Sequence, residues 1–388
     1  WVASAKGIIT FAGTEDDFHA QVAPEPGAVT IDARGLMAMP GFVDAHTHLP
    51  FAGDRARDFG LRIQGWTYQQ LAERGMGIQT TVKATRAASL DDLLALSLRR
   101  LDRMLLAGTT TVEAKSGYGL NLEDEIKQLE CLRDLAALHP IDIVPTFMGA
   151  HDVPPEYRER RGEYVRLLVD TLIPEVRERG LAEFFDVFCE PGAFSLEETR
   201  TLVEAAKAAG FKVKIHADEF VTLGGAELAA EIGAASAEHL IAVSDEGIAR
   251  LAMSDTAAIL LPGVSFFLMM DQKAPARRLI DGGAAVALAS DFNPGSSHIN
   301  AMPFILQLGV FTLGLTVEEA VMATTGNAAY AVGRHETVGS LEPGKKMDLL
   351  LCDVADHVSL AYEAGRNPVR TVIKNGQVVV EDGRRSQR

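Results

Sequence analysis

The sequence predicts an α/β fold: a closed, TIM-like (β/α)8 barrel carrying a small β-sandwich-like satellite domain built from both chain ends. Three observations predict it. Eight short β-branched or apolar runs alternate with capped helical segments through the middle of the chain, both ends are β-textured, and histidines recur where the predicted strands finish. The expected boundaries are 1–39 and 333–388 for the two parts of the satellite and 40–332 for the barrel.

In chain order, the N-terminal part holds β-like runs at Gly7 to Phe11 and Ala28 to Ile31, separated by Gly, Pro and acidic residues. The first barrel strand, Gly41 to Ala45, runs directly into His46-Thr47-His48. After Phe51, a segment with Arg55, Arg57, Arg62, Trp66 and Tyr68 shows no clean period and is expected to be a long functional loop. Ser89 with Asp92 starts a helix whose stripe is Leu94, Leu98, Leu101 and Leu105 and whose end is Gly108.

The further strands are Thr109 to Ala114, Ile143 to Met148, Phe184 to Phe188, Lys212 to His216, Ala235 to His239, Ala257 to Leu261 and Ala285 to Ser290. Between them, Ser195 with Glu198 and Ser244 ahead of Asp245 and Glu246 mark helix starts. Thr316 with Glu319 opens the helix that completes the last unit. Beyond Gly333 the texture is β again, with Leu349 to Cys352 and a hairpin from Val372 to Val379 turned by Asn375-Gly376. The competing arrangement is a doubly wound open sheet, but no Gly-rich dinucleotide fingerprint follows an early strand, and eight strands suffice to close a ring.

With 388 residues, 47% hydrophobic and 23% charged, the chain can bury a large core. A net charge of −16 repels nucleic acid and acidic membrane surfaces, so neither is expected as a partner. An anionic substrate would need a local cationic pocket. Cys131, Cys189 and Cys352 stand far apart with no C-x-x-C spacing, which predicts neither a disulfide framework nor a zinc knuckle and suits a reducing cytoplasm. The longest apolar stretch, Ala257 to Met270, is broken by Pro262, Gly263 and Ser265 and is too short to span a bilayer, and no signal-peptide pattern opens the chain. Trp1 is an unusual first residue, so native residues are expected to precede it.

Side chains two apart on a strand leave from one face, so His46 and His48 can grip one metal together. Of ten histidines, His46, His48, His151, His216 and His239 fall at or just past predicted strand ends, and Asp291 does the same after the last apolar run. Barrel active sites gather at that rim. The expected ligands are His46, His48, His216 and Asp291, with a water completing the shell. A divalent ion lowers the pKa of such a water to about 7, which points to hydrolysis.

One metal is expected. A second would need a bridging group, commonly a lysine at the end of the fourth strand, and that strand ends Phe188-Cys189-Glu190. Glu190 is expected to be a solvated or salt-bridged carboxylate rather than a bridge. Glu219, three residues after His216, suits proton transfer between water and a ring nitrogen, against the plainer role of an acid at a helix N-terminus. His239 can polarise the carbonyl under attack, and Asp291 can accept the water proton while holding the ion.

Pro40-Gly41-Phe42-Val43-Asp44-Ala45-His46-Thr47-His48 with a later His, His and Asp resembles the amidohydrolase superfamily of metal-dependent barrel hydrolases and deaminases. Four further motifs narrow the resemblance: Phe51-Ala52-Gly53-Asp54-Arg55, Lys115-Ser116-Gly117-Tyr118-Gly119-Leu120, Gly149-Ala150-His151 and Asp291-Phe292-Asn293-Pro294-Gly295-Ser296. They are similar to the branch that opens the ring of 4-imidazolone-5-propanoate with water to give N-formimidoyl-L-glutamate, in histidine degradation. Ala45 stands where that branch commonly has cysteine, and Pro50 where it has an aliphatic residue.

The resemblance implies a cytosolic, usually dimeric enzyme with one zinc or iron ion. It also implies that Arg55, Tyr68, Tyr118 and His151 hold the substrate, that Glu219 reaches it, and that Asn293, Gly295 and Ser296 contact its amino-acid-like end. The chemistry agrees, because a propanoate entering an acidic protein needs a clamp such as Arg55. The alternatives are a mononuclear-metal aminohydrolase deaminating a purine or pyrimidine base, and a non-catalytic relative kept as a scaffold. Arg55 and the Ser116 to Leu120 motif suit a carboxylate tail that a free base lacks, and a scaffold would be expected to have lost ligands.

Overall fold

Alternating β-branched runs and capped helices wind into a parallel barrel in the computed structural model, which describes residues 1–66, 70 and 76–386. The strands, in chain order, are β1 (Phe42–Asp44), β2 (Thr109–Lys115), β3 (Asp142–Ala150), β4 (Phe184–Cys189), β5 (Lys212–Ala217), β6 (Ser236–His239), β7 (Ala257–Leu260) and β8 (Val286–Leu288). Each pairs in parallel with its sequence neighbour. The ring is drawn shut between β8 and β1 by the bridge Thr47/Phe292, by Asp291 N donating to His46 O (3.0 Å) and by Ser290 Oγ donating to the buried Asp44 Oδ2 (2.5 Å). Every residue of β2 is buried, as expected of a strand covered on both faces.

Helix starts follow the sequence signals. Ser89/Asp92, Ser195/Glu198 and Thr316/Glu319 each form a reciprocal capping box, satisfying backbone N–H groups that the first helical turn leaves free. The helix Leu90–Leu106 turns a different face inward from the one expected. Its buried residues are Leu93, Ser97, Leu101, Met104 and Leu105, while Leu94 and Leu98 lie on the flank. A leucine-rich helix offers two overlapping stripes, and packing against the barrel selects one.

The satellite is a five-stranded antiparallel sheet in the order Arg384–Arg385, Gln377–Glu381, Val369–Lys374, Leu349–Cys352, Met37–Pro40. One strand comes from before the barrel and four from after it. Asn375 (φ 50°) and Gly376 (φ 77°) form the expected two-residue turn, where positive φ matches the strand twist. A separate hairpin, Val2–Ala5 with Ile8–Ala12, is tied on by an Ile8/Lys346 bridge.

Two local expectations fail. Ala28 to Ile31 forms no strand, and Val29 is 88% exposed. The N-terminal part instead holds a helix, Glu15–Gln21, with Thr14 Oγ1 capping Asp17 N. The segment after Phe51 is not one long loop, since Ala56–Ile63 and Ile78–Ala87 are helical. Among the described residues no helix is long and apolar enough to cross a membrane.

Candidate metal centre

The strand pleat explains how the ligands meet. Asp44, His46 and His48 alternate at the end of β1, so His46 and His48 leave towards the barrel axis at its C-terminal rim. His216 lies in β5, and Asp291 follows β8 with φ 49°, a left-handed conformation that an aspartate tolerates. Asp291 Oδ1 lies 3.1 Å from His48 Nε2 and 3.4 Å from His46 Nε2, and His48 Nε2 lies 3.5 Å from His216 Nε2. All four residues are at most 3% exposed.

These separations are those of atoms aimed at one cation. Ligand atoms about 2.1 Å from a tetrahedral ion are about 3.4 Å apart. His46 Nε2 and Asp291 Oδ1 are buried and neither takes part in a well-aligned hydrogen bond. Two imidazole nitrogens facing each other, as in His48 and His216, suit lone pairs converging on a common positive charge. Imidazole and carboxylate donors of this kind fit a divalent ion.

Electrostatics point the same way. Burial pushes His48 and His216 well below the usual histidine range, leaving them neutral donors. At His46, burial and the Lys115 ammonium oppose protonation, yet Glu238 and Asp291 outweigh them and carry the imidazole up to about 9. Burial likewise opposes the Asp291 carboxylate, but His46 and His48 hold its pKa well below the ordinary range.

Around it stand the other predicted residues. Glu219 is 5% exposed and its Oε1 lies 3.6 Å from His239 Nδ1. Burial, then Asp291 and Glu190, raise the Glu219 carboxyl well above its usual range. Burial lowers His239 to about 4, leaving a neutral imidazole. His151 stacks on His48 (centroids 4.9 Å) and bonds Gly117 O through Nδ1 (2.9 Å), and Tyr118 packs beside both rings.

The loop after Asp291 is a tight turn. Asn293 Oδ1 accepts from Gly295 N (2.7 Å) and Ser296 N (2.8 Å), and Ser296 Oγ donates to Asp291 Oδ2 (3.2 Å). Arg55 packs against Gly295 and pairs with Asp58 (3.1 Å), while Arg62 Nη2 donates to Gly295 O (3.1 Å). Tyr68 lies outside the described residues.

Glu190 differs from expectation. It is 3% exposed, pairs with no cation among the described residues, and accepts from the backbone N–H groups of Glu219 (3.2 Å), Phe220 (3.1 Å) and Val221 (2.9 Å), bracing the loop that carries Glu219. Glu219 is not the acid at a helix N-terminus. Asp218 takes that role, accepting from the N–H groups of Leu223, Gly224, Gly225 and Ala226.

Comparison with known proteins follows from this geometry. The pattern of the amidohydrolase family matches residues 37–379. The imidazolonepropionase of Symbiobacterium thermophilum is 54% identical over 384 residues, 99% of this chain and 90% of that one. The chain belongs to the imidazolonepropionases of the amidohydrolase family. The imidazolonepropionase of Porphyromonas gingivalis (strain ATCC 33277) is 50% identical over 96% of this amidohydrolase and 88% of its own length.

Solved structures share the amidohydrolase architecture. An adenosine deaminase from Xanthomonas campestris with bound zinc superposes with a TM-score of 0.74 at 19% identity, over 100% of this chain and 89% of that one. A 5-methylcytosine deaminase from Klebsiella pneumoniae liganded with 5-fluorocytosine gives 0.73 at 20% identity, over 100% and 95%. Likeness at that identity concerns the fold alone. This amidohydrolase is a hydrolase, and its imidazole and carboxylate cluster suits a divalent metal.

Several buried groups around the centre escaped the sequence reading: Glu113, Lys115, Asp186, Lys214 and Glu238 face the barrel interior, fully buried. Their signal was present. Glu113/Lys115, Lys214/His216 and Ser236/Glu238 are polar pairs at period two inside otherwise apolar strands, which puts each pair on one face. Arg62 was noted only as part of a loop.

Proposed function

We propose that the chain opens the ring of 4-imidazolone-5-propanoate with water to give N-formimidoyl-L-glutamate. The imidazolonepropionase relatives, at about half identity over nearly the whole chain, support this reading over base deamination. The structural observation that carries it is the pair of guanidinium groups, Arg55 and Arg62, gathered around Gly295 on the loop that also bears Asp291. A propanoate carboxylate needs such a cationic rim, and a nucleobase does not.

In this reading His46, His48, His216 and Asp291 hold the metal. A divalent ion bound there supplies acidification of a water molecule at neutral pH. The ring carbonyl carbon gains the water oxygen, its bond to the ring nitrogen breaks, and a water proton ends on that nitrogen. Glu219 gives its carboxyl proton to that nitrogen as the bond breaks, and Asp291 accepts the proton the water loses and returns it to Glu219, so that one water is consumed and both carboxyl groups are restored. The neutral His239 donates a hydrogen bond to the carbonyl oxygen as negative charge develops there.

Arg55 clamps the propanoate, with Tyr68 and Tyr118 donating hydrogen bonds and His151, whose Nδ1 proton goes to Gly117 O, offering Nε2 as an acceptor. Asn293, Gly295 and Ser296 line the end of the site that receives the amino-acid-like group. A single zinc or iron ion, a cytoplasmic location and a homodimeric assembly complete the reading, carried by the family likeness and by a donor set that accepts either ion. The test is the loss of imidazolonepropanoate absorbance with metal-loaded protein. Turnover is expected, and no turnover together with ammonia release from guanine would overturn the assignment in favour of a deaminase.

A further inference from the structure

Beneath the candidate ligands lie five charged side chains that none of the steps above uses. Glu113, Lys115, Asp186, Lys214 and Glu238 project inward from β2, β4, β5 and β6. Lys115 Nζ lies 2.8 Å from Glu113 Oε1 and 3.1 Å from Asp186 Oδ2. Lys214 Nζ lies 2.9 Å from Glu238 Oε1, which also accepts from Ser236 Oγ (2.9 Å), and donates to Ala45 O (3.0 Å). The second Glu238 oxygen, Oε2, faces two imidazoles, 3.0 Å from His46 Nδ1 and 3.3 Å from His216 Nδ1. Asp186 Oδ1 supports the second ring from 3.0 Å.

The chemistry of these contacts is directional. A carboxylate only accepts, so the ring nitrogen facing it carries the proton, and a neutral imidazole then keeps its lone pair on the other nitrogen. For both His46 and His216 that other nitrogen is Nε2, the atom turned towards Asp291 or His48. Asp186, His216 and Glu238 also bring ligand atoms within 4.8 Å of one another, but ammonium groups already contact both carboxylates of that group. A buried ionic network adds little net stability over an apolar filling, whereas partners that orient metal-bound histidines are worth about 10- to 100-fold in metal affinity.

We infer that Glu238, held by Lys214 and Ser236, is a positioning residue that fixes the tautomer of His46, while Asp186, whose Oδ1 takes the hydrogen bond of His216 Nδ1, does the same for His216, so that two neighbouring carboxylates orient two ligands of one ion. The inference rests on the ligand set proposed above. Glu113, Lys115 and Asp186 extend the same frame beneath it.

The test is NMR of the zinc-loaded full-length chain carrying 15N-labelled histidine, with chelator competition for zinc alongside. The rings of His46 and His216 are expected to show a proton on Nδ1 and zinc on Nε2. Glu238→Gln is expected to weaken zinc binding about 10- to 100-fold and to shift the His46 Nδ1 signal, and Lys214→Met to act in the same direction. Should Glu238→Gln not fold, the wild-type spectrum decides alone. Protons on Nε2 of zinc-bound rings, or unchanged affinity and spectrum in a folded Glu238→Gln, would overturn the positioning role and leave the ligand set standing. Ring signals indifferent to zinc would overturn the ligand set itself.

Discussion

The guanidinium of Arg55 lies against the backbone of Gly295, so close that a Cβ on Gly295 would sit 2.0 Å from Arg55 Nη1. Glycine there sets where the arginine points. Arg55→Ala is expected to lower kcat/KM by about 2 to 4 kcal/mol, the range for removing one partner of a desolvated charge pair. Gly295→Ala should lower it in the same direction by displacing Arg55, with metal content unchanged in both variants. Steady-state kinetics with metal analysis checks this, and an unaltered kcat/KM in Arg55→Ala would remove that residue from the site.

Glu219 is placed by its neighbours rather than by the ion, since Glu190 fixes its backbone and His239 faces its carboxyl group. Glu219→Gln keeps the shape and removes the transferable proton. We expect kcat to fall about 10²- to 10⁴-fold with bound metal retained. Loss of metal together with activity would make Glu219 a ligand instead.

Asp291 bridges the two β1 imidazoles and closes the barrel through its backbone N–H. Asp291→Asn keeps the backbone bond and weakens the ligand. Metal affinity should fall more than about 100-fold, beyond the loss expected for an outer partner, and dialysed protein should lose its ion. Retained stoichiometric metal would exclude Asp291 from the coordination.

Stability carries a pH signature at the join between barrel and satellite. Lys374 Nζ donates to Asp142 Oδ2 (2.8 Å) and Asp348 Oδ2 (2.7 Å), and Lys346 reaches the same Asp142 oxygen (2.7 Å). Burial opposes the Asp142 carboxylate, but the two ammoniums more than offset it and hold its pKa below the usual range. A depressed folded pKa gives stability that is complete above the unfolded value of about 3.9 and is lost as pH falls through the folded value. Asp142→Asn should therefore cost about 2 kcal/mol near neutrality, and denaturant titrations should show the difference from wild type shrinking below about pH 4.

The alternation of strand and helix was legible because each unit is locally signalled. Capping boxes at Ser89, Ser195 and Thr316 announce helices, and β-branched runs announce strands. The rim residues were legible because His46, His48, His216 and His239 end such runs. The charged frame below them went unread although its period-two polar pairs stand in the strands, because only the closed ring brings Lys214 and Glu238 together. The helix Ala56–Ile63 was missed because no capping residue announces it, since Arg55 stands at its start and makes no side-chain cap bond, and Asp58 is its buried member.

Anomalous diffraction at the metal edge, from crystals of the metal-loaded chain, tests the central claim most directly. One peak is predicted, about 2.0 to 2.2 Å from His46 Nε2, His48 Nε2, His216 Nε2 and a carboxylate oxygen of Asp291. A peak on other residues, or no shared peak among these four, would contradict it.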